Sequence, residues 1–264
     1  MSSSARRALR ILEAIGAAGR PPGATEIGRA LGLSAGTVFR GLDALERAGC
    51  VARFQSSAKF VLGKSVAALR QSLLARFPIR EVCAPYLRQL AFASRETASL
   101  TVRLGWYGVR IAAAPGTNEV TSSPPLGAVR PLGEGCAGRA ILAHLVPESA
   151  EAFAAWARRR GARAADARSF ARDLAEIRRR GFAAEETPFA RGRAALAFPL
   201  RAGAAALAAI AIEGPVVALG RPAAHEDLPR WREIVHSVER LAQARPDLFA
   251  GPFDHLDPDA IVLE

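Results

Sequence analysis

The sequence has few cysteines and no long apolar run, although half of its residues are hydrophobic. Its 264 residues include three cysteines, Cys50, Cys83 and Cys136, and no two of them have the CxxC spacing of a zinc or redox site. No stretch approaches the roughly 18 consecutive apolar residues of a membrane-spanning helix. The first residues also lack the apolar core of a signal peptide. We therefore expect a cytoplasmic protein with buried, reduced thiols, without membrane contact and without a metal or cofactor.

Positive charge is unevenly distributed along the chain. Residues 1–80 contain 13 Lys and Arg against 4 Asp and Glu, which gives +9, whereas residues 81–264 contain 23 against 21, which gives +2. A length of 264 residues is typical of about two domains. A basic domain joined to a nearly neutral one indicates that a polyanion binds to the first domain only.

Hydrophobic spacing over residues 1–63 predicts three helices and a β-hairpin. The helices are expected over 6–17, 25–31 and 35–48, and the two strands over 50–54 and 59–62. The first helix is expected to turn its apolar residues inward, namely Leu9, Ile11, Leu12 and Ile15. Three helices followed by a hairpin form a winged helix-turn-helix, whose third helix enters the major groove of DNA.

The candidate DNA-binding residues lie on the third helix and on the hairpin. Ser34 is a suitable N-cap for this helix, and Arg40 can donate to guanine or to a phosphate. Arg53 and Lys59 can neutralise flanking phosphates, which positions the domain without selecting a sequence. The predicted DNA-binding set is Ser34, Ala35, Gly36, Thr37, Arg40, Arg53 and Lys59.

The rest of the chain alternates between helical and strand patterns. Residues 64–78 suit a linker helix that is ended by Pro78, residues 79–250 form a second domain, and residues 251–264 look like a loose tail. Within the second domain, helices are predicted over 79–93, 136–144, 147–160, 170–180 and 227–244, and strands over 98–104, 109–114, 182–186, 194–201 and 206–213. The predicted fold class is therefore α+β.

Several segments, taken together, resemble the IclR family of bacterial regulators. They include Arg7-Ala8-Leu9-Arg10-Ile11-Leu12-Glu13, Thr37-Val38-Phe39-Arg40, Gly49-Cys50-Val51, Gly138-Arg139-Ala140-Ile141-Leu142-Ala143, Arg180-Gly181-Phe182-Ala183 and Gly214-Pro215. The resemblance runs from about residue 5 to residue 245. It implies a winged helix-turn-helix joined by a linker helix to a GAF-like α/β effector-binding domain, assembly into homodimers or homotetramers, and control of neighbouring operons.

The sequence departs from the family pattern at the recognition helix and in the effector domain. Ala35 and Gly36 stand where many members have Lys-Ser, and Ala211 and Glu213 stand at two positions that often carry hydroxyls. The effector-binding residues that the resemblance implies are Gly135, Cys136, Ala137, Glu185, Ala195, Ala211 and Glu213. The lost hydroxyls and the added Glu213 favour a neutral, bulky-apolar or cationic effector, or none. In an equally weighted alternative, Glu213 pairs with an arginine such as Arg103 or Arg193 and is structural.

These observations predict a sequence-specific DNA-binding regulator, with double-stranded DNA at a palindromic operator and a small-molecule effector as partners. Two alternatives stay open: a redox-responsive regulator that senses through Cys136, and an interaction protein with impaired DNA binding, suggested by Ala35 and Gly36. An enzyme is not expected. Cys136 and His144 are eight residues apart on one predicted helix, which is too far for direct contact.

Overall fold

The computed structural model divides the chain into two compact units, residues 1–75 and 76–264. It describes residues 3–55, 57–118, 124–146, 148–160, 167–186, 192–202, 205–219, 226–249 and 258, without the side chains of 167, 185, 186, 202, 205 and 207. The predicted tail, residues 251–264, therefore lies outside the described residues except for Pro258. The finer boundaries at 63/64 and 78/79 stay predictions.

The first unit is a winged helix-turn-helix, as predicted. Its elements are α1 (Ser3–Ala17), α2 (Ala24–Leu31), α3 (Ala35–Arg47), β1 (Val51–Arg53), β2 (Phe60–Leu62) and α4 (Lys64–Leu74). Strands β1 and β2 pair antiparallel and form the hairpin, or wing. The predicted linker helix is α4, and it ends at Leu74, before Phe77 and Pro78.

The ends of α2 and α3 are set by local chemistry. The carboxylate of Glu26 accepts a hydrogen bond from the N–H of Gly23 at 2.8 Å, which satisfies a donor at the start of α2. Gly32 ends α2 with a φ of +64°, and Gly49 follows α3 with a φ of +69°. Ser34 occupies the N-cap position of α3. Its hydroxyl, however, lies 2.9 Å from the hydroxyl of Thr37 and makes no side-chain capping bond to a backbone N–H.

One hydrophobic cluster holds the helices and the wing of the first unit together. It contains Ile11, Ile15, Ile27, Val38, Leu42, Leu45, Val51 and Phe60. The prediction that Leu9 also turns inward was wrong, because its side chain is 50% exposed. Residues two apart lie on nearly opposite sides of a helix, so α1 cannot bury both Leu9 and Ile11 against one core.

The second unit is a six-stranded antiparallel sheet with helices on both faces. Its elements are α5 (Ile79–Ser94), β3 (Thr97–Leu104), β4 (Tyr107–Ala114), β5 (Val129–Pro131), α6 (Cys136–Ala143), α7 (Glu148–Arg159), α8 (Ala167–Arg180), β6 (Ala183–Glu186), β7 (Arg193–Ala202), β8 (Ala205–Pro215), α9 (Val216–Leu219), α10 (Leu228–Ala244) and a short 3-10 helix, Pro246–Leu248. The strand order is β5-β4-β3-β8-β7-β6. The short elements β5 and α9 were not predicted, because three or four residues carry too little periodicity to detect.

The two faces of this sheet differ in the size of their side chains. Helices α5 and α10 pack on the face that carries large apolar residues, such as Leu100, Leu196 and Ile212. Helix α6 packs on the other face, where the buried residues of β6, β7 and β8 are alanines: Ala183, Ala195, Ala197, Ala209 and Ala211. Small side chains allow a helix to approach the sheet closely, and α6 therefore lies low over its centre.

The contrast between Ile11 and Leu9 gives a stability test within one helix. Ile11→Ala removes a fully buried side chain, and we expect it to lower the free energy of unfolding by about 2–5 kcal/mol. Leu9→Ala, on the same helix, should change it by less than about 1 kcal/mol. Urea unfolding followed by far-UV circular dichroism measures both. Equal losses for the two variants would contradict the burial described above.

Candidate functional site

The exposed surface of α3 begins at its first turn. Ser34, Ala35, Gly36 and Arg40 are exposed, and Thr37 is half-buried. Opposite them, Val38, Leu42 and Leu45 are packed into the core of the first unit. The predicted DNA-binding residues of α3 therefore share one end of the helix and lie away from its packed face.

Phe39 is also exposed on α3, and the sequence analysis did not include it. Its side chain is 58% exposed and lines a groove with Gly32, Leu33 and Ala35 and with four residues of α2, namely Ala24, Thr25, Gly28 and Arg29. Phe39 and this groove together form a contiguous exposed apolar surface, which is the kind of feature that marks an interaction site. The available signal was its spacing, because Phe39 lies one turn after Ala35 and beside the buried Val38.

The two predicted basic residues of the wing differ in how they are held. The guanidinium of Arg53 lies 5.3 Å from the centre of the Phe60 ring, and its Nε lies 3.4 Å from a carboxylate oxygen of Glu46. Lys59 is exposed on the neighbouring strand segment. Arg53 is therefore oriented by a ring and a carboxylate, whereas the structure shows no salt bridge to Lys59 from the described residues.

A cavity of about 250 Å³ opens in the second unit between the start of α6 and the sheet. It is lined by Thr101, Gly108, Arg110, Pro124, Ala128, Arg130, Pro131, Glu134, Gly135, Cys136, Ala137, Gly138, Arg193, Ala194, Ala195 and Glu213. Antiparallel pairing brings these residues together, because Thr101 lies opposite Arg110 and Ala195 lies opposite Glu213. A concave site with a few convergent polar groups is the usual form of a small-molecule site.

Five of the seven predicted effector-binding residues line this cavity: Gly135, Cys136, Ala137, Ala195 and Glu213. Ala211 does not line it; this residue is buried in the hydrophobic cluster beneath α6. Glu185 lies opposite Ala195 in the β6–β7 pairing, and its side chain is outside the described residues. Ala211 therefore lies on the same face of the sheet as Ala195 and Glu213, two residues along β8 from the cavity lining.

Glu213 is paired with two arginines, in agreement with one of the two alternatives: with Arg193, which was named, and more closely with Arg110, which was not. Its carboxylate forms a close ion pair with Arg110, and its other oxygen lies 3.9 Å from Nη2 of Arg193. Arg103 donates from Nε to the carbonyl of Gly105 at 2.9 Å. Sequence analysis missed Arg110, although a charged residue within the apolar strand Val109–Ala114 was a usable signal.

The thiol of Cys136 is engaged with the backbone. Its Sγ donates to the carbonyl of Ala183 at 3.0 Å, and it lies 3.6 Å from the carbonyl of Ala195. The side chain is buried, and Gly135, with a φ of +88°, begins the turn before it. Redox-sensing thiols are accessible and have thiolate character, so this geometry does not favour the redox alternative.

His144 lies at the opposite end of α6 from Cys136 and contacts the backbone of its own helix. It follows the last residue of α6, and its Nδ1 lies 3.0 Å from the carbonyl of Ala140. Burial lowers the pKa of His144 below its usual value, which favours the neutral ring. Among the described residues, no group of three or more His, Cys, Asp or Glu side chains could hold a metal ion. No helix in the described ranges is long and apolar enough to span a membrane.

Comparisons with known proteins agree with this arrangement. The chain matches two family profiles, the IclR helix-turn-helix domain over residues 4–53 and the bacterial transcriptional regulator IclR C-terminal domain over residues 71–240. No protein in the curated set matches the sequence.

Solved structures with the same fold include the IclR of Thermotoga maritima, at 21% identity and a TM-score of 0.72, over 91% of this chain and 98% of that one. A regulator from Rhodococcus sp. RHA1 has 23% identity, a TM-score of 0.72 and the same coverage. An IclR homolog from Microbacterium hydrocarbonoxydans, complexed with 4-hydroxybenzoate, has 22% identity and a TM-score of 0.70, over 90% of this chain and 100% of that one.

The fold and the two sites define a transcriptional regulator with a helix-turn-helix DNA-binding domain and a C-terminal ligand-binding domain. The family profiles together cover most of the sequence. The chain belongs to the IclR family.

Thiol labelling tests the environments of the three cysteines. Burial raises the pKa of Cys83 to about 12, so its thiol stays protonated near pH 8. Cys136 is buried and hydrogen-bonded, whereas Cys50 is half-buried, which corrects the expectation that all three are buried. With an aromatic disulfide reagent, we expect Cys50 to react in the folded protein and the other two thiols to react only after denaturation.

The control for this labelling is Cys50→Ser, which should abolish the early reaction. Rapid labelling of Cys136 in the folded Cys50→Ser variant would contradict the description and would restore the redox alternative.

Proposed function

We propose that this regulator binds a palindromic operator as a symmetric dimer, or as a tetramer built from such dimers, and that a small molecule in the cavity of the second unit changes its affinity for DNA. The main support is the exposed α3, together with the net charge of +9 that residues 1–80 carry. Because it acts on bacterial DNA, we propose that it works in the cytoplasm.

The first turns of α3 supply the base contacts in this proposal. Small side chains at Ala35 and Gly36 let the helix backbone come close to the groove floor, and Arg40 supplies a forked donor for guanine. Phe39 offers an apolar surface to a thymine methyl group, a contact that carries sequence information without charge. Ser34, Thr37, Arg53 and Lys59 then contact phosphates and fix the position of the helix.

The dimer contact is assigned to α4, whose residues are all at least partly exposed. Its apolar residues recur at intervals of three and four, which is the spacing of a helix-pairing seam: Val66, Leu69 and Leu73. The side chain of Leu69 is 67% exposed. A second copy of this helix would cover the seam symmetrically, and a symmetric dimer requires the two half-sites of a palindrome.

The effector is assigned to the cavity beside α6. The 4-hydroxybenzoate bound by the Microbacterium homolog is a small aromatic acid, and a cavity of about 250 Å³ admits a molecule of that order of size. The dimer has one arrangement that can bind the operator and one that cannot. The effector acts by binding one of the two more tightly than the other. The α4 helix connects the two units in sequence and is the element whose arrangement would differ between those states.

Footprinting on the DNA that flanks the gene, repeated over a salt series, tests the DNA-binding function. We expect a protected palindrome whose affinity falls steeply as salt increases, because phosphate contacts release counterions. Weak binding without sequence preference would contradict the proposal and would favour the interaction protein with impaired DNA binding.

Arg40 and Phe39 are distinguished by their salt dependence. Arg40→Ala should weaken operator binding by about 1–3 kcal/mol and reduce the slope of affinity against salt, because a cation is lost. Phe39→Ala should weaken it by about 1 kcal/mol and leave the slope unchanged. Replacing thymine by uracil in the operator removes the methyl group. This replacement should weaken operator binding by the parent protein and leave operator binding by Phe39→Ala unchanged. An equal loss of affinity in both proteins would refute the contact.

Two variants that add the same charge to α4, one within the proposed seam and one on the opposite side of the helix, test whether the seam forms the dimer contact. Leu69→Glu puts a carboxylate at the centre of the seam and should shift the protein from dimer to monomer in analytical ultracentrifugation. Gln71→Glu adds the same charge on the opposite side of the helix and should leave the dimer intact. If Leu69→Glu stays dimeric, α4 is not the main dimer contact.

A further inference from the structure

Three charged side chains, one buried and two largely buried, meet at the inner end of the cavity. The side chains of Arg110 and Glu213 are 6% and 13% exposed and form a close ion pair. Arg193, with 19% of its side chain exposed, has Nη2 at 3.9 Å from the second carboxylate oxygen of Glu213. Among the side chains that the structure describes, two guanidinium groups and one carboxylate therefore give this inner site a net charge of +1.

The positive charge of Arg193 is only partly compensated by Glu213. At 3.9 Å its contact with Glu213 is too long for a hydrogen bond. Its Nε is buried and has no hydrogen-bond partner among the described residues. Burial lowers the pKa of Arg193 from its usual value, and Arg110 and Arg130 lower it further while Glu213 opposes them. A largely buried guanidinium whose Nε has no acceptor among the described residues, and whose ion pair is long, can bind an anion.

The charges at the mouth of the cavity contribute less to this balance. Arg130 and Glu134 line the opening, are both exposed and carry opposite charges. Charges in contact with water are screened, whereas those at the inner end are screened much less. Arg110, Arg193 and Glu213 therefore determine how many negative charges a bound effector can carry.

We propose that Glu213 limits the effector to a single negative charge, with Arg193 as the group that binds it. This inference rests on the proposed function of the cavity and deepens it. One carboxylate at Arg193 brings the inner site to neutrality. A second negative charge would remain uncompensated in a poorly hydrated site next to the carboxylate of Glu213, where like charges repel strongly. Arg110 does not relieve this, because Glu213 already engages it.

The sequence alone supports a different expectation for the effector. The lost hydroxyls and the added charge of Glu213 argue against a small carboxylate. With Arg110 as its partner, the carboxylate of Glu213 is balanced, and Arg193 supplies the charge that remains. Glu213 then selects among anions by their charge and does not exclude them.

Calorimetric titration with matched ligand pairs tests this selection. The pairs are benzoate with isophthalate and propionate with succinate, and benzamide serves as a neutral ligand. In the parent protein, one of the two monoanions should bind at least about tenfold more tightly than its matched dianion. In Glu213→Gln the inner site has a net charge of +2, and the preference should shift toward the dianion by about tenfold or more.

The variant Arg110→Gln/Glu213→Gln separates charge from shape. It removes both partners of the ion pair, restores the inner charge to +1 and should restore the preference for the monoanion. It also serves where Glu213→Gln alone fails to fold, since it leaves one guanidinium in the inner site and not two. Arg193→Gln should weaken monoanion binding by about tenfold or more and leave benzamide binding unchanged. Far-UV circular dichroism establishes that each variant is folded.

Three results would overturn the inference: equal or tighter binding of dianions by the parent protein, no shift of preference in the folded variants, or no binding of either monoanion. Each of these is independent of the operator footprint. A protein that binds its palindrome but fails the charge test retains the proposed function, whereas a protein without a footprint has lost that function whatever its ligand preference.

Discussion

The close approach of α6 to the sheet is the contact on which the ligand-binding unit depends. Five alanines on β6, β7 and β8 leave space above the sheet, and α6 fills that space with buried residues of its own. Gly138 continues the fit, because a Cβ at that position would lie 2.5 Å from the carbonyl oxygen of Leu132. The first residues of α6 then lie beside Ala195 and Glu213 of the sheet, and the cavity is enclosed between them. A larger side chain on this face would lift α6 and open or fill the site.

The electrostatics of the cavity follow from strand pairing. Arg110 and Glu213 lie on different strands, with β3 between them, and each strand turns the charged side chain to the face that α6 covers. Burying either charge alone would be costly, since removing one partner of a buried pair leaves an uncompensated ion. Arg193, on β7, adds a second guanidinium to the same place. This is a polar site built into the apolar layer, and its stability depends on the balance of its charges.

Much of the fold was predictable from local patterns, and the site was predictable only in part. The stripe Val38, Leu42, Leu45 and the glycines at the helix ends are local signals, so α3 and the winged helix-turn-helix were found. Arg110 and Glu213 are 103 residues apart in the sequence, and no local pattern predicts that they pair. Phe39 was missed for a related reason. Periodicity identifies what is buried, whereas an exposed aromatic residue becomes notable only when its exposure is known.

The distribution of charge constrains how a ligand in the second unit can affect DNA. An effector that neutralises one buried charge changes little in a field set by the net charge of +9 on residues 1–80. Direct electrostatic influence on the phosphates is therefore a weak route for regulation. In the proposed dimer, the effector would instead favour one arrangement over another, and its differential affinity for the two arrangements would limit the size of the response. The α4 helix suits this role because none of its residues is buried within the chain, which leaves it available for the dimer contact proposed above.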